Sequence, residues 1–81
     1  MARKLFDIIG EIFDVDPSIL NDHTNQGDIQ KWDSLNLVFL IDQLEKEYNI
    51  NFSIDDVIEI GSILDIKNIL KSRGISEEQF T

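Results

Sequence analysis

Apolar positions recur along this chain with a helical period. Leu5, Ile8, Ile9, Ile12 and Phe13 fall at i, i+3, i+4, i+7 and i+8, one face of a helix. The following Asp16-Pro17-Ser18-Ile19-Leu20 reads as a turn, or a single helical turn with proline at its first position. From Asn21 to Lys31 the chain is polar and contains Gly27, which predicts a long connection. A second helix is expected from Ser34 to Tyr48 or Asn49, with Asp33 as its N-cap. Ser53 with Asp56 has capping-box spacing and predicts a short helix over 54–59. Ser62 with Asp65 repeats the device and opens a last helix with the stripe Ile63, Ile66, Ile69 and Leu70. Lys67, Lys71 and Arg73 suit its C-terminal end, and Gly74 suits the position just past it. The alternating Tyr48–Ile54 segment would be a lone strand with nothing to pair with. The pattern therefore predicts an all-α fold: a small four-helix bundle with a short third helix and a long loop between helices 1 and 2. The bundle is assigned to 1–74 and a flexible C-terminal tail to 75–81.

Within the second helix, Leu37, Ile41, Leu44 and Tyr48 share one narrow arc, with Val38 and Leu40 beside it, and face the core. Phe39 points away from that arc, and Leu35 lies on a similar side near Asn36, Gln43 and Lys46. Two readings follow: Leu35 and Phe39 pack under the 21–31 connection, or they form a docking patch beside Ser34.

Eighty-one residues make one small domain with a modest core. The absence of cysteine rules out a disulfide framework and thiolate metal ligands. Sixteen acidic residues against seven basic give a formal charge of −9. That balance argues against nucleic acid and anionic membranes as partners and favours proteins with basic patches. In the N-terminal segment Asp7 and Glu11 interrupt any signal-like apolar run. No stretch reaches membrane-span length. A cytoplasmic monomer is expected.

The chemistry centres on Ser34, a hydroxyl at the expected start of a helix. Nucleophilic catalysis fits poorly, because the single histidine, His23, lies in the connection and nothing brings it to Ser34 and Asp33. A calcium loop over 14–25 starts with Asp14, Asp16 and Ser18, but has Ile19 in place of the required glycine and Asn25 in place of the closing glutamate. No metal site and no catalytic residue is expected. A helix N-terminus does favour an anion. Ser34 is thus read as an attachment point for a phosphoryl-linked group placed there by another enzyme.

Asp33-Ser34-Leu35, Glu45-Lys46-Glu47-Tyr48 and Ser62-Ile63-Leu64-Asp65-Ile66 together resemble the acyl carrier proteins, over roughly residues 3–73. The resemblance implies a four-helix bundle. It implies that a phosphopantetheinyl transferase moves 4′-phosphopantetheine from coenzyme A onto Ser34, so that the chain is a non-catalytic carrier of acyl thioesters. Asp33 would cap the helix and fix the presentation of Ser34. Partner enzymes that load and transfer acyl groups would use basic patches against Leu35, Asn36, Val38, Phe39, Asp42, Glu45, Glu47, Asp55 and Asp56. Leu35 and Val38 would shape the rim of the site. Phe6, Leu37, Ile41, Leu44, Val57, Ile60 and Ile66 would form the core.

The approach to the serine reads Lys31-Trp32-Asp33-Ser34-Leu35-Asn36. Asn36 stands where carriers of fatty-acid synthesis have an acid, and Phe39 where they often have glutamate. These departures point to a specialised lipid, polyketide-like or glycan-acylation pathway rather than housekeeping synthesis. An aminoacyl or peptidyl carrier would use the same serine, but usually has a Gly-Gly approach and a less acidic face. The other reading is an unmodified interaction module docking partners through Leu35 and Phe39.

Overall fold

The computed structural model describes residues 3–81. Its helices are α1 (Leu5–Phe13), α2 (Ser34–Tyr48), α3 (Ile54–Glu59), α4 (Ile63–Ser72) and α5 (Glu77–Phe80), with a 3-10 turn at Pro17–Ile19. Among the described residues the extended pairing is confined to one isolated bridge, Asn25 with Ser62. The sequence expectation of an all-α bundle with a short third helix is met.

The apolar stripe of α1 is the centre of the core: Leu5, Ile8, Ile9 and Phe13 are buried. The helix ends at Asp14, whose left-handed backbone (φ 56°) turns the chain, with the Val15 N–H donating to Gly10 O at 3.0 Å. Gly10 is required by this return. A Cβ there would lie 2.7 Å from Val15 O and 2.9 Å from Pro17 Cγ. Asp16 then caps the 3-10 turn by accepting from Ser18 N at 2.9 Å.

The long connection between α1 and α2 is built into the fold by its own backbone. Helix N-termini leave N–H groups without intrahelical partners. Two of those on α4 find partners here: Ile63 N donates to Thr24 O and Leu64 N to Asp22 O, both at 3.0 Å. Thr24, Ile29 and Trp32 are buried along the same segment. Trp32 stacks on Phe13, with ring centroids 5.2 Å apart and planes 27° apart. Its Nε1–H is buried without a hydrogen-bond partner, so size and shape, not polarity, account for its place there.

Leu40, Ile41, Leu44 and Tyr48 bury one side of α2 against this core. The Tyr48 hydroxyl donates to Arg3 O at 2.6 Å, and burial pushes its pKa up to about 12. Asn49, left-handed at φ 55°, ends the helix. Helix α3 opens with the capping box of Ser53 and Asp56 but buries no residue along its length; Ile60, just past it, is its anchor. Helix α4 opens with the box of Ser62 and Asp65, and Gly74 follows it at φ +87°.

Four expectations are corrected. Lys67 does not serve the solvent-facing end of α4. It is 7% exposed, pairs with Asp22 at 2.6 Å, and lies 4.8 Å from the centroid of the Phe6 ring. A buried ammonium is tolerable only with such partners. The segment read as a flexible tail instead forms α5 and carries Phe80 into the core at 1% exposure. Val38 does not face the core; it is 58% exposed. Phe6, Leu37 and Val57 flank the core as half-buried residues, whereas Ile41, Leu44, Ile60 and Ile66 lie in it.

Truncating Phe80 to alanine should therefore lower stability by about 3 kcal/mol, the usual loss for a buried phenylalanine. Chemical denaturation of Phe80→Ala against the parent chain measures it, and a change below about 0.5 kcal/mol, as for a surface position, would show that α5 lies off the core.

Candidate functional site

Ser34 is the first residue of α2 and is exposed. Three local features hold it there. Asp33, extended at φ −116° and ψ 178°, accepts from Asn36 N at 2.8 Å and so satisfies one of the free donors of the first turn. The Asn36 side chain reaches back, its Nδ2 donating to Lys31 O at 2.9 Å. Trp32, two residues before the serine, is the buried anchor on Phe13. The hydroxyl thus stands on a short pedestal braced from below and on both sides of the Asp33 cap.

The electrostatics of this end favour an anion. Inside its first turn α2 has no acidic residue, and the one carboxylate at this end is the Asp33 cap, so an anion would meet the N–H groups that the cap leaves free and the positive end of the helix dipole. Asn36, a neutral amide, contributes to this and also supplies the brace to Lys31. The brace is a role that sequence reasoning missed.

The surrounding surface divides sharply. Leu35, Val38 and Phe39 are 64%, 58% and 53% exposed. The expectation that Phe39 faces away from the core holds, and the packed-under reading does not apply to Leu35 or Phe39. On α3, Ile54 and Ile58 are also exposed, with Asp55 between them in sequence.

Four of the five acidic residues assigned to partner contact have partners within the chain, and the fifth, Asp55, is exposed on α3. Glu45 accepts from Phe52 N at 2.8 Å and ties the end of α2 to the following loop. Glu47 accepts from Arg3 N at 3.1 Å. Asp42 pairs with Lys46 at 3.0 Å. Asp56 closes the cap of α3 on Ser53 N at 2.9 Å and also pairs with Arg73, whose Nε donates to Asn51 O at 3.3 Å. His23 is exposed, with its backbone N–H on Asn21 Oδ1. Among the described residues no cluster of three or more His, Asp or Glu side chains is arranged to hold a metal ion, and no helix is long and apolar enough to cross a membrane.

A family model described as the phosphopantetheine attachment site matches residues 3–70, and the chain belongs to that family. Membership makes it a carrier of covalently attached 4′-phosphopantetheine, of the kind that phosphopantetheinyl transferases modify. None of the curated proteins matches the chain. The start of α2 fits such a group: an exposed hydroxyl, a braced backbone and a first turn whose own residues, past the Asp33 cap, include no carboxylate.

Bonding to Ser53 N–H holds the Asp56 carboxyl below the usual carboxylate range, with the Arg73 charge adding to the effect and partial burial opposing it. Its contribution to stability is therefore present above about pH 4, the ordinary aspartate value, and is lost as pH falls through the lower folded value. Thermal melts below pH 4 should show a shallower acid-side fall for Asp56→Asn than for the parent; equal slopes would separate this carboxyl from acid unfolding. Asp33→Ala should cost about 1 kcal/mol through the lost cap, measured by denaturant titration.

Proposed function

We propose that this chain is a discrete acyl carrier protein modified on Ser34. The observation that carries the reading is the exposed Ser34 hydroxyl at the capped start of α2, inside a chain of the phosphopantetheine attachment family. In the loading step a transferase removes the hydroxyl proton and Ser34 Oγ bonds to the phosphorus next to the pantetheine of coenzyme A. The bond from that phosphorus to the nucleotide breaks, and adenosine 3′,5′-bisphosphate leaves. Once attached, the arm supplies the thiol that this cysteine-free sequence lacks, so that acyl groups are carried as thioesters. The chain's own part is presentation. Asp33, Asn36 and Trp32 fix the acceptor, and the N-terminal turn of α2 favours the phosphodiester charge that replaces a neutral hydroxyl.

The cargo route is read from the residues beside the serine. Asn36 and Phe39 remove two charges from the face met by fatty-acid enzymes and add an aromatic ring. This supports a specialised lipid, polyketide-like or glycan-acylation pathway, with the carrier non-catalytic, cytoplasmic and monomeric.

Incubation with coenzyme A and a broad-specificity transferase should add the mass of one phosphopantetheine group, read by intact mass spectrometry. Ser34→Ala should add none. A parent chain that stays unmodified under conditions that load other carriers would favour the unmodified docking module, for which the exposure of Leu35 and Phe39 is the supporting observation.

A further inference from the structure

We propose that the chain has a second binding site, remote from Ser34, for a small neutral molecule that joins an apolar body to one amide group. The site is the cavity between the start of α1 and the end of α5, with Lys67 of α4 in its wall. It is independent of the reading of Ser34.

The cavity encloses about 350 Å³. That is about the volume of a dozen water molecules in the liquid, and it lies within the range of small-molecule sites. Phe6, Phe80 and Lys67 line it, and the exposed residues Lys4, Asp7 and Ser18 complete its wall. Arg3 N donates to Glu47, and the Tyr48 hydroxyl donates to Arg3 O, so the start of α1 lies beside the end of α2. Ser34 is at the other end of α2, roughly 21 Å along the helix axis from Tyr48.

The chemistry of the cavity is set by the Lys67 ammonium. Its side chain is 9% exposed. An ammonium has three N–H donors. Among the described residues its acceptor is Asp22, at 2.6 Å. The Phe6 and Phe80 ring centroids lie 4.8 and 6.0 Å from the nitrogen. Ring faces attract the charge but are weak hydrogen-bond acceptors. An oxygen brought into the cavity therefore gains a charge-assisted hydrogen bond beside two aromatic surfaces.

The sign of the ligand follows from the charges around it. Asp22 already matches the Lys67 charge, and sixteen acidic residues against seven basic oppose an incoming anion. An incoming cation meets the ammonium groups of Lys67 and Lys4. A neutral amide avoids both penalties. Its carbonyl oxygen accepts from Lys67, its N–H donates to the Asp7 carboxylate, and its apolar body lies against Phe6 and Phe80.

The test is an NMR titration of the full chain with benzamide, benzoate and benzylammonium, single-ring molecules of nearly equal size that differ in charge. Benzamide is expected to move the backbone amide signals of Phe6, Asp7, Ser18, Lys67 and Phe80 and to leave those of Ser34 to Phe39 in place. Its expected Kd is about 1 mM, an ordinary efficiency for so small a ligand. Benzoate and benzylammonium should bind at least about fivefold more weakly, through the charge penalties. Ser18→Trp places an indole in the cavity and should abolish the shifts, while far-ultraviolet circular dichroism and the thermal midpoint stay at parent values. Lys67→Met keeps the length of the side chain, removes the donors, and should weaken benzamide about tenfold.

An absence of shifts around the cavity at ten times that Kd overturns the proposal. So does binding of benzoate or benzylammonium as tight as that of benzamide, or binding of benzamide that persists in Ser18→Trp. If Lys67→Met melts markedly lower, Ser18→Trp and the order of the three ligands decide the matter. Loading of Ser34 is measured separately by mass, so this proposal and the attachment reading fail independently.

Discussion

The stack of Trp32 on Phe13 is the contact on which the presented end of α2 depends. It joins the last residue before the Asp33 cap to the last turn of α1. An exposed hydroxyl at a helix end would otherwise sit at the tip of a long connection, where loops are most mobile. Burying a large aromatic side chain two residues away fixes that tip by dispersion and solvent exclusion, forces that need no polar partner. The Asp33 and Asn36 bonds then set orientation over a distance of a few atoms. Position comes from packing and direction from hydrogen bonds, and neither alone would hold the serine at one place.

The same division of labour runs through the rest of the domain. The connection between α1 and α2 has no helix of its own beyond a 3-10 turn, yet its carbonyls at Asp22 and Thr24 complete the start of α4. Asp22 adds a carboxylate for Lys67, which is closed in by the Phe6 and Phe80 rings. One buried cation thus gathers the connection, α1, α4 and α5. Helix α3 is the contrast. With no buried residue along its length, it is retained by its capping box, by Arg73 and by Ile60 behind it. Its inward-facing Val57 is only half-buried, and an element with so little buried apolar surface is the kind that opens at low cost.

Signals whose physics is local are legible in the sequence. The boxes Ser53–Asp56 and Ser62–Asp65, the Asp33 cap, the Asp16-Pro17 turn and the glycine after α4 all act within four residues, and each forms as expected. Misreadings fall where the partner is distant in sequence. Lys67 has the composition of a surface residue, and only Asp22 and two aromatic rings make its burial acceptable. Phe80 follows a glycine and a polar run, with no period to announce that it folds back. Val38 sits at the border of the helical arc, where a small rotation decides exposure. The carboxylates of Glu45 and Glu47 give no sign in the sequence of their acceptor roles, because their donors are the backbone N–H groups of distant residues, which leave no trace in residue type. Trp32 did carry a signal: a large aromatic in a polar stretch is out of place unless something buries it.

Trp32 is the single tryptophan of the chain, and it lies two positions before the acceptor serine with an indole N–H sealed from water. An indole without a hydrogen bond emits at the blue edge of its range, and shifts to longer wavelength when water reaches it. The molecule therefore contains its own optical reporter at the foot of its working end. Native emission records, without any label, whether loading or the seating of another protein loosens the ground on which the serine stands.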